Sequence, residues 1–403
     1  MHTTLRHAAR PTVLGLAAAL IVLVAAPARA AQPSNWGSTD AGPGRARALT
    51  FSALKAESIE TYIEAWRASL APTTVTDCAG SQAAAAGDDT VAVGSTLVQH
   101  QGPVVRAFNV STGAVLWTVD TRKAATDRSA FWSVTATPAG VYVYQSTCTG
   151  ARTGMVTLLD LRNGTLLARR AGLGYGAGST FAVSGGVVLT PEKALDATSL
   201  TDRWDIPRVD GYRSRLLAAS ADAGVFSVGG DVLRLIQARR LADGALLWER
   251  AGTPTSAAFS SDDAWLLLQT GGLLQVAFPH SGVNHFNLKG VQLRSASATD
   301  LVVLRRSGLE RYSWTGSLTA SGPQDGARFT AIAGKLLFDS RGAFSPGLTG
   351  LPVLNASTLA AVATVATDLR VEKVIPAGNR LAVTTLTAAG QRDGGVVVLA
   401  API

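Results

Sequence analysis

Beyond the first thirty residues, apolar positions fall in short runs. Examples are Thr90-Val91-Ala92-Val93, Val141-Tyr142-Val143-Tyr144, Val187-Val188-Leu189, Leu266-Leu267-Leu268 and Leu301-Val302-Val303-Leu304. Each is rich in β-branched or aromatic residues, too short for a helix, and bounded by Gly, Asp, Asn or Ser, so each reads as a strand. A nine-residue register recurs with them. It is clearest at Asn109–Trp117 and Arg240–Trp248, and is followed more loosely at Asp160–Ala168, Asp196–Trp204, Phe278–Phe286, Tyr312–Ala320 and Asn355–Ala363. Its fifth position is Gly113, Gly164, Leu200, Gly244, Gly282, Gly316 and Leu359.

Where Thr, Asn, Asp or Ser precedes that glycine between two apolar runs, the pattern is a hairpin turn, since glycine adopts positive φ without steric cost. A second turn signal lies upstream of each copy, at Gly87-Asp88-Asp89, Pro138-Ala139-Gly140, Ser184-Gly185-Gly186, Asp222-Ala223-Gly224, Ser261-Asp262-Asp263, Thr299-Asp300, Ala333-Gly334 and Ala377-Gly378-Asn379. Each unit is therefore four short strands, A to D, in about 41 residues, the size of a propeller blade. There are eight A–B turns but seven C–D turns, because the chain ends where the eighth would fall. The expected fold is all-β: an eight-bladed β-propeller of four-stranded antiparallel blades. An unpaired last edge would expose backbone groups, so an N-terminal strand is expected to complete the last blade. Tyr62–Leu70 is one reading, with Trp66 in the repeat position. The other is a helix over Phe51–Trp66, with Thr73–Asp77 as the closing strand.

The first thirty residues differ. Arg6, His7 and Arg10 precede the apolar run Val13–Val24, and Ala28-Arg29-Ala30 follows it. That three-part pattern is an export signal, with cleavage expected between Ala30 and Ala31. The run is short for a membrane span, and no cysteine follows it to carry a lipid. The expected organisation is a signal peptide over 1–30, an extension over 31–61 and the propeller over 62–403, with no transmembrane segment in the mature chain, a secreted location and a monomeric state.

Composition agrees. The chain has 403 residues, 47% hydrophobic and 16% charged, with a formal charge of +8. That is too apolar for a disordered chain, and the mild basic excess gives no reason to expect nucleic acid.

The register residues also carry a resemblance. Ala107–Trp117 and Gly244–Trp248 resemble the repeat of the PQQ-like propeller family, and Trp36 with Ser58–Trp66 loosely resembles its secreted N-termini. The resemblance implies a propeller shared by quinoprotein alcohol dehydrogenases and non-enzymatic outer-membrane assembly lipoproteins. The dehydrogenases hold PQQ with calcium, an Asp base and a disulfide between adjacent cysteines. Here the two cysteines are Cys78 and Cys148, and no Asp aligns with the base, so no cofactor is expected.

Other candidate chemistry is sparse. Asp88-Asp89 and Asp262-Asp263 occupy A–B turns, where Asp is favoured for backbone reasons. His280 and His285 flank one C–D turn, without a Cys or acid in the sequence nearby to complete a metal set. His100 stands alone. Gly172–Gly178 reads as a linker, Arg169-Arg170, Arg239-Arg240 and Arg305-Arg306 as solvated surface, and Trp117, Trp204 and Trp248 as packing between blades. No catalytic, cofactor-binding or metal residue is assigned. Cys78 falls in a D–A link and Cys148 in a B–C loop, which emerge on the same face, so a disulfide between them is expected in an oxidising compartment. Two function classes follow. One is a secreted, non-catalytic scaffold binding a protein or cell-envelope partner. The other is an extracytoplasmic enzyme, acting on polysaccharide or quinoprotein-like, with a site scattered over several blades.

Overall fold

In the computed structural model the described residues are 48–49, 61–69, 74–76, 82–84, 90–122, 129–147, 153–173, 181–209, 212–229, 234–322, 328–332, 336–340, 350–365, 368–386 and 392–401. Among them there is no α-helix. The strands form eight sheets, each with four antiparallel strands, one of which gains Ala48–Leu49 as a parallel fifth strand, plus two short two-stranded ribbons. We call the sheets 1 to 8 and their strands A to D in the repeat order.

Sheet 1 is Thr90–Val93, Thr96–Gln101, Val104–Asn109 and Val115–Asp120. Its A–B turn is thus Gly94-Ser95, and Asp88-Asp89 precede strand A, so the sequence assignment of that turn was one strand too early. Sheet 2 is Ser129–Thr137, Gly140–Thr147, Thr153–Leu159 and Leu166–Ala171. Sheet 3 is Ala182–Ser184, Val187–Leu189, Lys193–Asp196 and Asp202–Asp205. Sheet 4 is Arg215–Ala219, Ala223–Val228, Leu235–Arg240 and Leu246–Ala251. Sheets 5 and 6 follow, and sheet 7 is Arg328–Ile332, Leu336–Ser340, Leu351–Asn355 and Ala361–Val365. Sheet 8 is Val371–Ala377, Arg380–Leu386 and Arg392–Ala400, with Ile63–Ser69 paired antiparallel to its third strand. Thr74–Thr76, the rival segment, instead pairs with Gln82–Ala84 in a ribbon.

The C–D turns of sheets 1 to 5 and 7 share one hydrogen-bond pattern. In sheet 1 the Asn109 N–H donates to Ala114 O and the Gly113 N–H to Asn109 O. The Asn109 side-chain oxygen accepts from the Ser111 and Thr112 N–H groups, an Asx cap that favours the turn locally. The fifth residue takes positive φ: 73° at Gly113, 72° at Gly164 and 73° at Gly244. A β-bulge follows in every D strand. In sheet 1, Ala107 faces Trp117 and Phe108 faces Val115, which leaves Leu116 unpaired. Ile63–Ser69 carries the same bulge: Glu64 faces Leu399, Trp66 faces Val398, and Ala65 is skipped. Its Trp therefore stands where Trp117 and Trp248 stand in their own sheets.

Apolar clusters span consecutive sheets. Val98, Val105 and Trp117 of sheet 1 pack with Val134, Val141 and Leu159 of sheet 2, and Leu97, Phe108 and Val110 of sheet 1 also pack with Ile375, Ala382 and Val398 of sheet 8. At these junctions an outer-strand ring lies against the next sheet's turn. A Cβ on Gly113 would come within 2.8 Å of the Trp66 ring, and one on Gly164 within 2.8 Å of Trp117. Gly244 sits likewise under Trp204, Gly282 under Trp248 and, more loosely, Gly316 under Phe286. Each indole N–H then donates to the turn's second carbonyl: Trp66 to Val110, Trp117 to Leu161, Trp204 to Leu241 and Trp248 to Pro279.

The two copies that lack glycine obey the same rule in reverse. Where the outer strand has Ala168, the next turn has Leu200, buried and with φ 56°. Where it has Ala320, the next turn has Leu359, buried with φ 57°. A leucine in the left-handed region costs about 1–2 kcal/mol. Its burial in the space a Trp would fill offsets that cost.

This pairing predicts a coupled mutant cycle. Ala168→Trp alone should clash with Leu200, and Leu200→Gly alone should leave a cavity, each lowering urea stability. The double variant should recover, with a favourable coupling of about 1 kcal/mol or more. Additive losses in the double variant would contradict the pairing.

Candidate functional site

The repeat provides an internal control, since a side chain that departs from it without a compensating change in the preceding sheet adds something to the shared geometry. Departures concentrate where sheet 5 (Ser256–Phe259, Leu266–Thr270, Leu273–Ala277, Asn284–Lys289) meets sheet 6 (Gln292–Ala296, Asp300–Arg305, Gly308–Ser313, Leu318–Ser321). The A–B turn of sheet 5 is longer than its counterparts and ends in Trp265, whereas sheet 1 has Gly94-Ser95. Phe278 takes the turn-capping position occupied by Asn109, Asp160, Asp196 and Asn355 elsewhere. His285 is the bulged residue of strand D, and a bulge re-aims its side chain out of the ladder. Trp314 lies in the sheet 6 C–D turn, which is one residue tighter, with the Ser313 N–H donating to Ser317 O.

These four rings meet. Trp265 stacks on His285 with centroids 4.8 Å apart and on Trp314 at 5.5 Å, and lies 5.2 Å from Phe278 at a tilt of 39°. His285 Nε2 is 2.9 Å from Trp314 O. A carbonyl only accepts, so Nε2 carries the proton. The Trp314 indole N–H donates to Ala298 O at 3.1 Å. The group is held rigidly yet remains partly open: Trp265 and Trp314 are half-buried, and Phe278 is 42% and Val283 58% exposed.

Carboxylates border it. Asp262 and Asp263 precede Trp265 in the same turn. Asp263 has φ 60° and accepts from the Ala221 N–H at 2.8 Å. Burial, and then the neighbouring Asp222 and Asp262 charges, push its carboxyl pKa up, while the Ala221 N–H opposes this. Across the junction with sheet 4, His280 Nε2 lies 3.4 Å from Asp222 Oδ2.

The histidines flanking the turn therefore diverge, His280 to Asp222 and His285 into the aromatic group. His285 is an exposed strand residue rather than a turn residue. His100 is buried in sheet 1, with Nδ1 3.2 Å from Gly102 O. The arginine pairs serve the scaffold: Arg170 pairs with Asp202, Arg239 donates to Gly244 O, and Arg305 pairs with Glu310. Among the described residues no three His, Cys, Asp or Glu side chains gather as a metal set. None of their helices is long and apolar enough to cross a membrane. Ala30, Ala31, Cys78, Cys148, Asp88, Asp89 and Gly174–Gly178 lie outside the described residues. Sequence reasoning missed Trp265, Phe278 and Trp314. Their signal was present: two Trp residues off the repeat position, and a Phe where the repeat wants Asn or Asp. It missed Gln269 as well, which accepts from the Leu293 N–H and donates to Val291 O, tying sheet 5 to strand A of sheet 6.

No family model and no curated relative matches the chain by sequence. Solved structures do resemble it. BamB from Moraxella catarrhalis is 14% identical, with a TM-score of 0.50, over 84% of this chain and 99% of that one. The quinohemoprotein alcohol dehydrogenase ADHIIG from Pseudomonas putida HK5 is 11% identical, with a TM-score of 0.57, over 92% of this chain and 80% of that one. At such identities the likeness shows the fold alone, a β-propeller, and leaves function to the site.

The raised Asp263 carboxyl predicts a pH-dependent gain. A buried acid whose folded pKa is raised binds protons more readily when folded, so its ionisation lowers stability as pH rises. Asn tolerates the left-handed conformation and keeps an oxygen for the Ala221 N–H. Asp263→Asn should raise the thermal midpoint at pH 7, with the gain shrinking toward pH 4. A lower midpoint at pH 7 would show that the charge itself is needed.

Proposed function

We propose that the protein is a secreted, non-catalytic propeller scaffold that docks a protein or cell-envelope partner on the face formed by its A–B and C–D turns. The observation that carries this is the aromatic group of Trp265, Phe278, His285 and Trp314. Trp265, Phe278 and Trp314 sit at positions the other sheets mostly leave small or polar, and clustered, partly exposed aromatics are the residues that anchor interfaces. In this reading the eight sheets are eight blades of a closed ring, with Ile63–Ser69 as the outer strand of the last. The packing of Leu97 and Phe108 against Ile375 and Val398 supports that arrangement.

The residues do not fit PQQ. Two cysteines 70 positions apart supply no adjacent-cysteine bridge. The inner edge of sheet 7, where Ala331 and Ile332 stand, is taken by Ala48–Leu49 in parallel pairing. The chain also carries the pattern for export with cleavage between Ala30 and Ala31, and a Cys78–Cys148 bond would tie the segment before blade 1 to blade 2. Intact mass and non-reducing peptide mapping of secreted protein check both: the expected form starts at Ala31 with no free thiol. A form retaining Val13–Val24, or free thiols at both positions, would contradict them.

Photo-cross-linking in the producing cell tests the docking face. A photoreactive side chain at Val283 should capture a partner, and one at Lys289, at the other end of the same strand, should not. Capture at Lys289 alone, or at neither, would overturn the proposed face.

A further inference from the structure

The chemistry around the aromatic group points to what it receives. Three carboxylates border it on the sheet 4 side: Asp222, Asp262 and Asp263. Asp222 and Asp262 are exposed. Among the described residues no Lys or Arg pairs with any of the three, and the side chain beside Asp222 is His280. Several exposed acids elsewhere are matched, as Asp202 is by Arg170 and Lys193, and Asp243 by Arg240. The chain as a whole is basic, at +8. An unmatched acidic corner on a basic surface is a point of electrostatic complementarity, which steers encounter and sets register. The rings beside it are those that best accept a cation over their faces.

We propose that this corner docks a basic, extended peptide segment of the partner, carrying Arg or Lys. The proposal rests on the scaffold reading and names the chemistry of its partner. The segment's guanidinium or ammonium groups meet Asp222 and Asp262, and its aliphatic stems lie on Phe278 and the exposed part of Trp314. Asp263 is held by the Ala221 N–H and sets the turn, so it positions Asp262 and Trp265.

The test uses the full mature chain and two fluorescein-labelled heptapeptides, Gly-Arg-Gly-Arg-Gly-Arg-Gly and its Glu counterpart. Fluorescence anisotropy should show saturable binding of the basic peptide, weakening with NaCl, and none of the acidic one. Asp222→Asn with Asp262→Asn should weaken binding at least fivefold, as should Phe278→Ser with Trp314→Ala. Asp243→Asn, on the sheet 4 turn, should leave it unchanged. Thermal midpoints confirm that each variant is folded, and the exposed carboxylate pair keeps the test valid if the aromatic variant is not. No saturable binding, equal binding of both peptides, or binding unchanged in the carboxylate variant would overturn the proposal. So would a neutral oligosaccharide that binds this corner without salt dependence. The scaffold reading fails separately: a partner cross-linked at Val283 through a neutral or acidic segment removes this inference and leaves that reading intact.

Discussion

The structure depends on one repeated contact, an outer-strand ring pressed on the left-handed residue of the next sheet's turn. Glycine at that residue serves two needs. It adopts positive φ freely, and it lets an indole approach where a Cβ would stand about 2.8 Å from the ring at Gly113 and Gly164. The indole N–H then satisfies a turn carbonyl, so the contact joins packing to a hydrogen bond. Each sheet alone has apolar faces on both sides, and stacking against its neighbours buries them. The ring-on-turn contact fixes how neighbours register.

That contact also explains the position of the N-terminal strand. Trp66 donates to Val110 O at 2.7 Å and its ring covers Gly113. Tyr62, at the start of the same segment, is buried and donates to Asn379 O in the A–B turn of sheet 8. The segment is thus held by sheet 8 through its ladder and by sheet 1 through Trp66. In the closed ring we propose, this is the seam, joined by the same device as the other junctions.

Much of this was legible in the sequence because turn chemistry is local. The Gly positions, the apolar runs and the repeat length predicted four-stranded units directly, and Trp66 was readable as the repeat Trp. The first A–B turn was misplaced at Gly87-Asp88-Asp89, which precedes strand A of sheet 1, whereas the turn is Gly94-Ser95. The Leu200 and Leu359 copies looked like decay. They are compensated, because each faces an alanine in the preceding sheet, about 30 to 40 residues earlier, a distance no local pattern spans. The aromatic group was invisible for the same reason. Trp265, Phe278, His285 and Trp314 come from three turns and a bulge, and only the packing of sheets 5 and 6 brings them together. Its residues read singly as turn or core positions, and became a site once the structure set them side by side.

The account's central claim is that the N-terminal strand is locked to sheet 1 by the contact used between the other sheets. Urea unfolding of full-length Trp66→Ala beside Trp117→Ala tests it most directly. The account predicts one cooperative transition for each variant, with similar losses on the order of 3 kcal/mol. An unchanged midpoint for Trp66→Ala, with Trp117→Ala clearly destabilised, would contradict it.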